Sequence, residues 1–296
     1  AVLVQDGSYI KVQRIVPGSA SWKTKKIQTE DKILKVGEGD AEPVSIVDID
    51  LRDAVKLIRG KKGTVVKLTI EKPDKTQKVI PITRDVVEIR ESYAKSLIIE
   101  HKDLKEKIGY INLPSFYRDF KPDFGQKPRN CSDDVQAALE YLNKEKVKGL
   151  IFDLRGNAGG SLEDARKITG LFIKKGPVVQ VKSGDGTGRE PDVLEDFDDK
   201  VYFDKPVIVL INRMSASASE IVAGALQDYG RAVIIGGDHS HGKGTVQSLI
   251  PLDSALPQLL PRDFDSLGTL KITIQQFYRV TGSSTQNRGV VPDIIL

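Results

Sequence analysis

The sequence predicts two domains: a mostly β module with short helices over residues 1–86, and an α/β domain over 87–296. Three observations carry this. A length of 296 residues exceeds what one compact core usually holds. The first ~85 residues alternate short strand patterns with Gly and Pro punctuation. Beyond them, continuous apolar strands alternate with helical periodicities, the pattern of a sheet covered by helices.

The elements follow in chain order. Ile10, Val12 and Ile15-Val16 lead into a turn at Pro17-Gly18-Ser19. Asp31 to Gly37 reads as a strand entered from a charged loop. Leu51, Ala54, Val55 and Ile58 recur at helical spacing, with Gly60 as the stop. Val66, Leu68 and Ile70 alternate with Val65, Lys67, Thr69 and Glu71, and Pro81 gives the strand around 79–82 an edge position. In the second domain, 108–113 is a strand and Val135, Ala138, Leu139 and Leu142 mark a helix. Residues 149–154 form a buried strand, followed by a helix over about 161–173 and a strand at 178–181. The segment 183–200, rich in Gly, Asp and Glu, reads as a loop. Val207 to Ile211 is another buried strand.

Composition narrows the function classes. Apolar residues are 39% and charged residues 29%, an ordinary globular balance, and no apolar run reaches the ~20 residues that span a bilayer. The formal charge of +4 is spread among acids, and aromatics are 6% and not interleaved with basic clusters. A nucleic-acid partner is therefore not expected. Lys23, Lys25 and Lys26 read as a solvated surface. Cys131 is the only cysteine, which rules out an internal disulfide and a cysteine metal site. No cofactor or metal is expected. The chain opens on a strand pattern without a targeting segment and stops on the apolar run Ile294-Ile295-Leu296, so it reads as the trimmed body of something longer.

Three segments carry chemistry. After the strand at 207–211 come Ser215-Ala216-Ser217-Ala218-Ser219-Glu220 and an apolar helix. A serine there has backbone N–H groups and a helix dipole facing a developing oxyanion. The plainer reading is a capping box, with Ser217 as N-cap and Glu220 reaching back. Gly242-Lys243-Gly244-Thr245-Val246-Gln247 offers a lysine free to enter a cleft, a general base if burial lowers its pKa; the alternative is a solvated turn lysine. In a strand from 243 to 249, Lys243, Thr245 and Gln247 share a face, so Gln247 can orient the amine. A phosphate loop fails because a strand, not a helix, follows Lys243. The third segment, Asp153-Leu154-Arg155-Gly156-Asn157-Ala158-Gly159-Gly160, exposes backbone N–H groups at a strand-to-helix turn.

Residues 1–85 resemble a PDZ domain through Pro17-Gly18-Ser19-Ala20, Glu30-Asp31-Lys32-Ile33-Leu34 and the helix before Gly63-Thr64-Val65. The resemblance implies peptide capture at Val2, Leu3, Val4, Leu51 and Val55 by strand addition. It also implies a carboxylate-binding loop that should precede Ala1. The three chemical segments, with Gln275-x-Phe277-Tyr278-Arg279-Val280, Ser284-Thr285-Gln286 and Gly289-Val290-x-Pro292-Asp293-Ile294, resemble the tail-specific (C-terminal processing) protease family.

That resemblance implies a crotonase-like α/β core and a serine endopeptidase acting without ATP. Ser217 would be its nucleophile, Lys243 the base and Gln247 the lysine's support. Ala218 and a glycine of the Gly159-Gly160 pair would form the oxyanion hole. The expected partners are polypeptides with unstructured apolar C-terminal tails; a homo-oligomer stays open, and the implied location is periplasmic or secreted in a bacterium. Three alternatives stand beside it. His241 or His239 could replace Lys243 as base. The chain could be an inert PDZ peptide-binding scaffold, or Gly159-Gly160 could serve an acyl thioester. A metal pair at His239 and His241 lacks a third ligand, and Asp228 has either a place near the dyad or a helix-end role.

Overall fold

The computed structural model describes residues 1–85, 93–103, 106–119, 128–184, 190–255 and 267–296. The chain divides into two compact units, Ala1–Glu91 and Ser92–Leu296. The expected domain boundary at 86/87 lies outside the described residues, as does part of the segment 183–200; within that segment Asp192–Asp196 form a strand paired with 176–181 rather than the loop expected.

The first unit contains β1 (Val2–Asp6), β2 (Tyr9–Arg14), α1 (Ala20–Thr24), β3 (Lys32–Glu38), β4 (Val44–Ser45), α2 (Leu51–Ile58), β5 (Val65–Glu71) and β6 (Gln77–Thr83). These strands form one antiparallel sheet in the order β1-β2-β3-β5-β6, with β4 against β3. The alternation expected on β5 holds: Val66, Leu68 and Ile70 are buried with Ile10, Val12, Ile33 and Ile80. Pro81 does lie on an edge strand.

Helix α2 begins on the Asp50 side chain, which accepts the Arg52 N–H, and ends at Arg59 in extended backbone. Gly60 is not a left-handed cap. A Cβ there would stand 2.6 Å from the Arg84 guanidinium carbon. The glycine gives passage to Arg84, which bonds both Glu38 carboxylate oxygens and the Ile58 carbonyl.

The second unit contains β7 (Lys95–Ile99), β8 (Ile108–Asn112), α3 (Cys131–Lys144), β9 (Gly149–Asp153), α4 (Leu162–Gly170), β10 (Gly176–Ser183) and β11 (Asp192–Asp196). Then follow β12 (Val207–Ile211), α5 (Ala218–Asp228), β13 (Val233–Gly236), β14 (Thr245–Pro251), α6 (Leu252–Ala255), β15 (Thr269–Tyr278) and β16 (Ile294–Ile295). Its main sheet runs β16-β13-β12-β9-β8-β7, parallel throughout except for the antiparallel edge β7. A second, antiparallel sheet runs β11-β10-β15-β14. Phe152, Val209, Leu139, Ile168 and Val222 share one core under α3, α4 and α5. This is the α/β architecture expected, and it brings the carboxyl ends of β9 and β12 side by side.

Candidate active site

The loops leaving β9 and β12 are tied into one surface. Asn212 Oδ1 accepts the N–H of Gly156 and of Met214, both at 3.0 Å. Asn157 is fully buried between them. Its carbonyl accepts the Ala216 N–H at 2.9 Å and the Ser219 hydroxyl at 2.8 Å, while its amide donates to the Leu113 carbonyl.

Ser215 donates its hydroxyl to the Leu154 carbonyl at 2.8 Å. Ser215 and Ser219 are thus buried and committed to backbone. Ser217 is different. It is half-buried, with φ 56° and ψ −114°, where a capping residue normally has an extended backbone. Such a conformation costs about 1–3 kcal/mol and persists only when its surroundings enforce it. Ser217 and Glu220 stand in the capping-box arrangement, with the Ser217 N–H on Glu220 Oε2 and the Glu220 N–H on the Ser217 carbonyl.

Gly159 packs directly against this serine. Its φ is +99°, and a Cβ on it would meet Ser217 Cβ at 2.8 Å and Ala218 N at 3.1 Å. The Gly159 N–H is already donated to Asn157 Oδ1 at 2.9 Å. Among the described residues no acceptor meets the N–H of Ala218 or of Gly160. Ala218 is the first residue of α5, where an N–H has no intrahelical partner, and Gly160 directly precedes Ser161, the N-cap of α4.

Lys243 precedes β14 rather than lying in it, and its amine donates to Gln247 Oε1 at 3.4 Å. Among the described residues no hydrogen bond joins it to Ser217. The shared face expected for Lys243, Thr245 and Gln247 is interrupted by a register shift between Val246 and Gln247. Burial holds the Lys243 amine below the usual lysine range, the charge of Lys271 adds to this, and Glu220 opposes both.

Glu220 has a larger part than its sequence position suggested. It is fully buried. Its Oε2 accepts the N–H of Ser217 at 2.7 Å and of Lys243 at 3.0 Å; its Oε1 accepts the Ser240 hydroxyl and the Gly242 N–H, both at 2.6 Å. An acid in an otherwise small and apolar stretch was the available signal.

The other candidates separate. His241 is exposed and uses its backbone N–H on the Ser215 carbonyl, while the His239 ring contacts the Ser240 carbonyl. Among the described residues neither ring bonds Ser217. Asp228 takes the helix-end role: Arg279 grips it with two bonds at 2.6 and 3.0 Å. Among the described residues no group of three or more His, Cys, Asp or Glu could hold a metal ion.

In the first unit an apolar groove of about 620 Å³ is lined by Val2, Leu3, Leu51, Val55, Ile58 and their neighbours. Val4, expected among them, is not a lining residue. Alternation along β1 turns it to the opposite face from Leu3, while the register shift between Val2 and Leu3 lets both of those line the groove.

A PDZ domain profile matches residues 2–71, and the profile of peptidase family S41 matches residues 107–296. Over 294 residues the chain is 40% identical to the tail-specific protease of Haemophilus influenzae, covering 99% of this chain and 39% of that protein. It is 35% identical to the carboxy-terminal-processing protease of Bartonella bacilliformis over 83% of this chain and 50% of that one. The chain thus spans half or less of the length of these relatives. Its fold is similar to that of the photosystem II D1 C-terminal processing protease, with a TM-score of 0.54 at 22% identity over 100% of this chain and 71% of that chain. On the profile match and the identity to its bacterial relatives, the chain belongs to peptidase family S41, with a PDZ domain ahead of the peptidase region.

Proposed function

We propose that the chain is a serine endopeptidase of the tail-specific type, cleaving polypeptides captured by an accessible apolar C-terminal tail. The observation that carries this reading is the selection of Ser217. Of three neighbouring serines, Ser215 and Ser219 give their hydroxyls to backbone carbonyls, whereas among the described residues Ser217 gives its hydroxyl to none, in a strained turn beside the N–H of Ala218.

The chemistry then runs through this chain's own groups. Neutral Lys243 takes the Ser217 proton as Oγ adds to the scissile carbonyl. The oxyanion is held by the N–H of Ala218 and of Gly160; Gly159, the other member of the expected pair, has its N–H on Asn157. The Lys243 ammonium protonates the leaving amine, and water releases the acyl group with Lys243 again as base. Gln247 orients the amine. The reach from Lys243 to Ser217 closes on substrate binding, as catalytic hydrogen bonds often do. The PDZ module over 1–86 delivers the tail by strand addition beside β1, in the groove of Val2, Leu3, Leu51 and Val55. A periplasmic or secreted location accompanies the reading and rests on likeness to bacterial tail-specific proteases.

The test is cleavage of an unfolded protein with an apolar C-terminus, with metal chelator present. Cleavage by wild type that is lost in Ser217→Ala supports the reading. A second reading, an inert peptide-binding scaffold, draws on the absent Ser217–Lys243 hydrogen bond. Peptide binding without any cleavage would favour it.

A further inference from the structure

The tripeptide Gly242-Lys243-Gly244 has six backbone polar groups, and each has a partner distant in sequence. The N–H groups of Gly242 and Lys243 go to the two Glu220 oxygens. The Gly244 carbonyl accepts the Phe277 N–H at 2.9 Å. The remaining three are met by one short segment. The Asn287 N–H donates to the Gly242 carbonyl at 2.7 Å, the Thr285 hydroxyl to the Lys243 carbonyl at 3.2 Å, and the Gly244 N–H to Gln286 Oε1 at 2.8 Å. The same segment runs on to Val290, whose N–H reaches the Ser240 hydroxyl at 2.7 Å.

The glycines allow the approach. A Cβ on Gly244 would meet Gln286 N at 2.8 Å, and one on Gly242, at φ +88°, would meet Asn287 C at 3.1 Å. The lysine is thus clamped between a buried carboxylate on one side and the 285–287 segment on the other. Thr285 is fully buried, but Gln286 is exposed and its amide otherwise only donates to Asn287 Oδ1. Its side chain contributes little to the core, yet it holds the peptide that follows the lysine.

We propose that Gln286 is a positioning residue for Lys243: by fixing the Gly244 peptide it sets where the lysine amine stands relative to Ser217, without touching substrate. The proposal rests on the protease reading above. Misplacement of a catalytic group by about 1 Å can cost on the order of 100-fold in rate.

The test compares wild type, Gln286→Ala and Gln286→Glu in the full chain. In Gln286→Ala, kcat on an unfolded polypeptide falls about 10- to 100-fold with KM unchanged. Gln286→Glu keeps an acceptor oxygen at the same reach and recovers most of kcat, with the rising limb of its pH profile moved upward because a carboxylate beside the lysine favours the ammonium. Unchanged kcat in Gln286→Ala, or equal losses in the two variants, overturns the proposal.

Hydrogen exchange at the Gly244 amide supplies a readout that needs no turnover. It should be slow in wild type and Gln286→Glu and fast in Gln286→Ala. Equal exchange in all three overturns the clamp itself. If wild type cleaves nothing, the protease reading fails, and the exchange pattern decides the clamp alone.

Discussion

The backbone N–H of Ser217 and that of Lys243 meet on a single oxygen, Oε2 of Glu220, at 2.7 and 3.0 Å. Two segments far apart in the chain are thereby held at a fixed separation by one buried carboxylate. A buried charge is tolerated only when hydrogen-bonded, and this one has four donors. Glu220→Gln keeps the shape but turns an N–H₂ toward N–H or O–H donors on one side. The expected result is a loss of about 1–3 kcal/mol in urea unfolding and a fall in cleavage of tenfold or more.

The pH dependence follows from the environment of Lys243. The general-base role proposed for it requires the neutral amine, whose fraction grows as pH rises through its pKa. Burial and then Lys271 lower that pKa, against the pull of Glu220, so kcat/KM should rise with pH and level off below the ordinary lysine value of about 10.4. Lys271 lies on β15 opposite Leu249, beside the Gln247–Thr273 pair. Lys271→Met should move the rising limb to higher pH and leave its plateau. A limb that does not move would remove Lys271 from the account.

Gly159 tests the closeness of the two loops. Gly159→Ala sets a Cβ 2.8 Å from Ser217 Cβ in a backbone region that side chains rarely adopt. Cleavage should fall 100-fold or more while peptide affinity of the PDZ module is unchanged. Turnover kinetics and binding titration, run on the same variant, separate the two effects.

The groove makes a position-specific prediction. Val55→Asp puts a charge among apolar lining residues and should weaken binding of an apolar C-terminal peptide at least tenfold. Val4→Ser, on the other face of β1, should change that affinity less than twofold. Isothermal titration distinguishes them.

The elements that were legible in the sequence are those with strong periodicity. Val66, Leu68 and Ile70 fixed the inward face of β5, and the apolar runs at 149–153 and 207–211 gave the two central parallel strands. The three chemical segments could be found because their residue types are short motifs, and the structure does bring Gly159 against Ser217. What could not be read was tertiary. Glu220 looked like half of a capping box because that local pattern is complete in itself, whereas its other partners lie at Ser240, Gly242 and Lys243. Gly60 looked like a helix stop because nothing local announces the Arg84 side chain that needs its space. The shift that interrupts the Lys243–Gln247 face comes from pairing with β15, which no single-strand pattern encodes.

The most direct test is covalent labelling of the full chain with a small serine-reactive phosphonate, read by peptide mapping across pH. The account predicts a single adduct on Ser217, formed faster as pH rises through the lowered Lys243 pKa, and lost in Lys243→Ala. An adduct on another residue, or labelling of Ser217 at the same rate without Lys243, would contradict it.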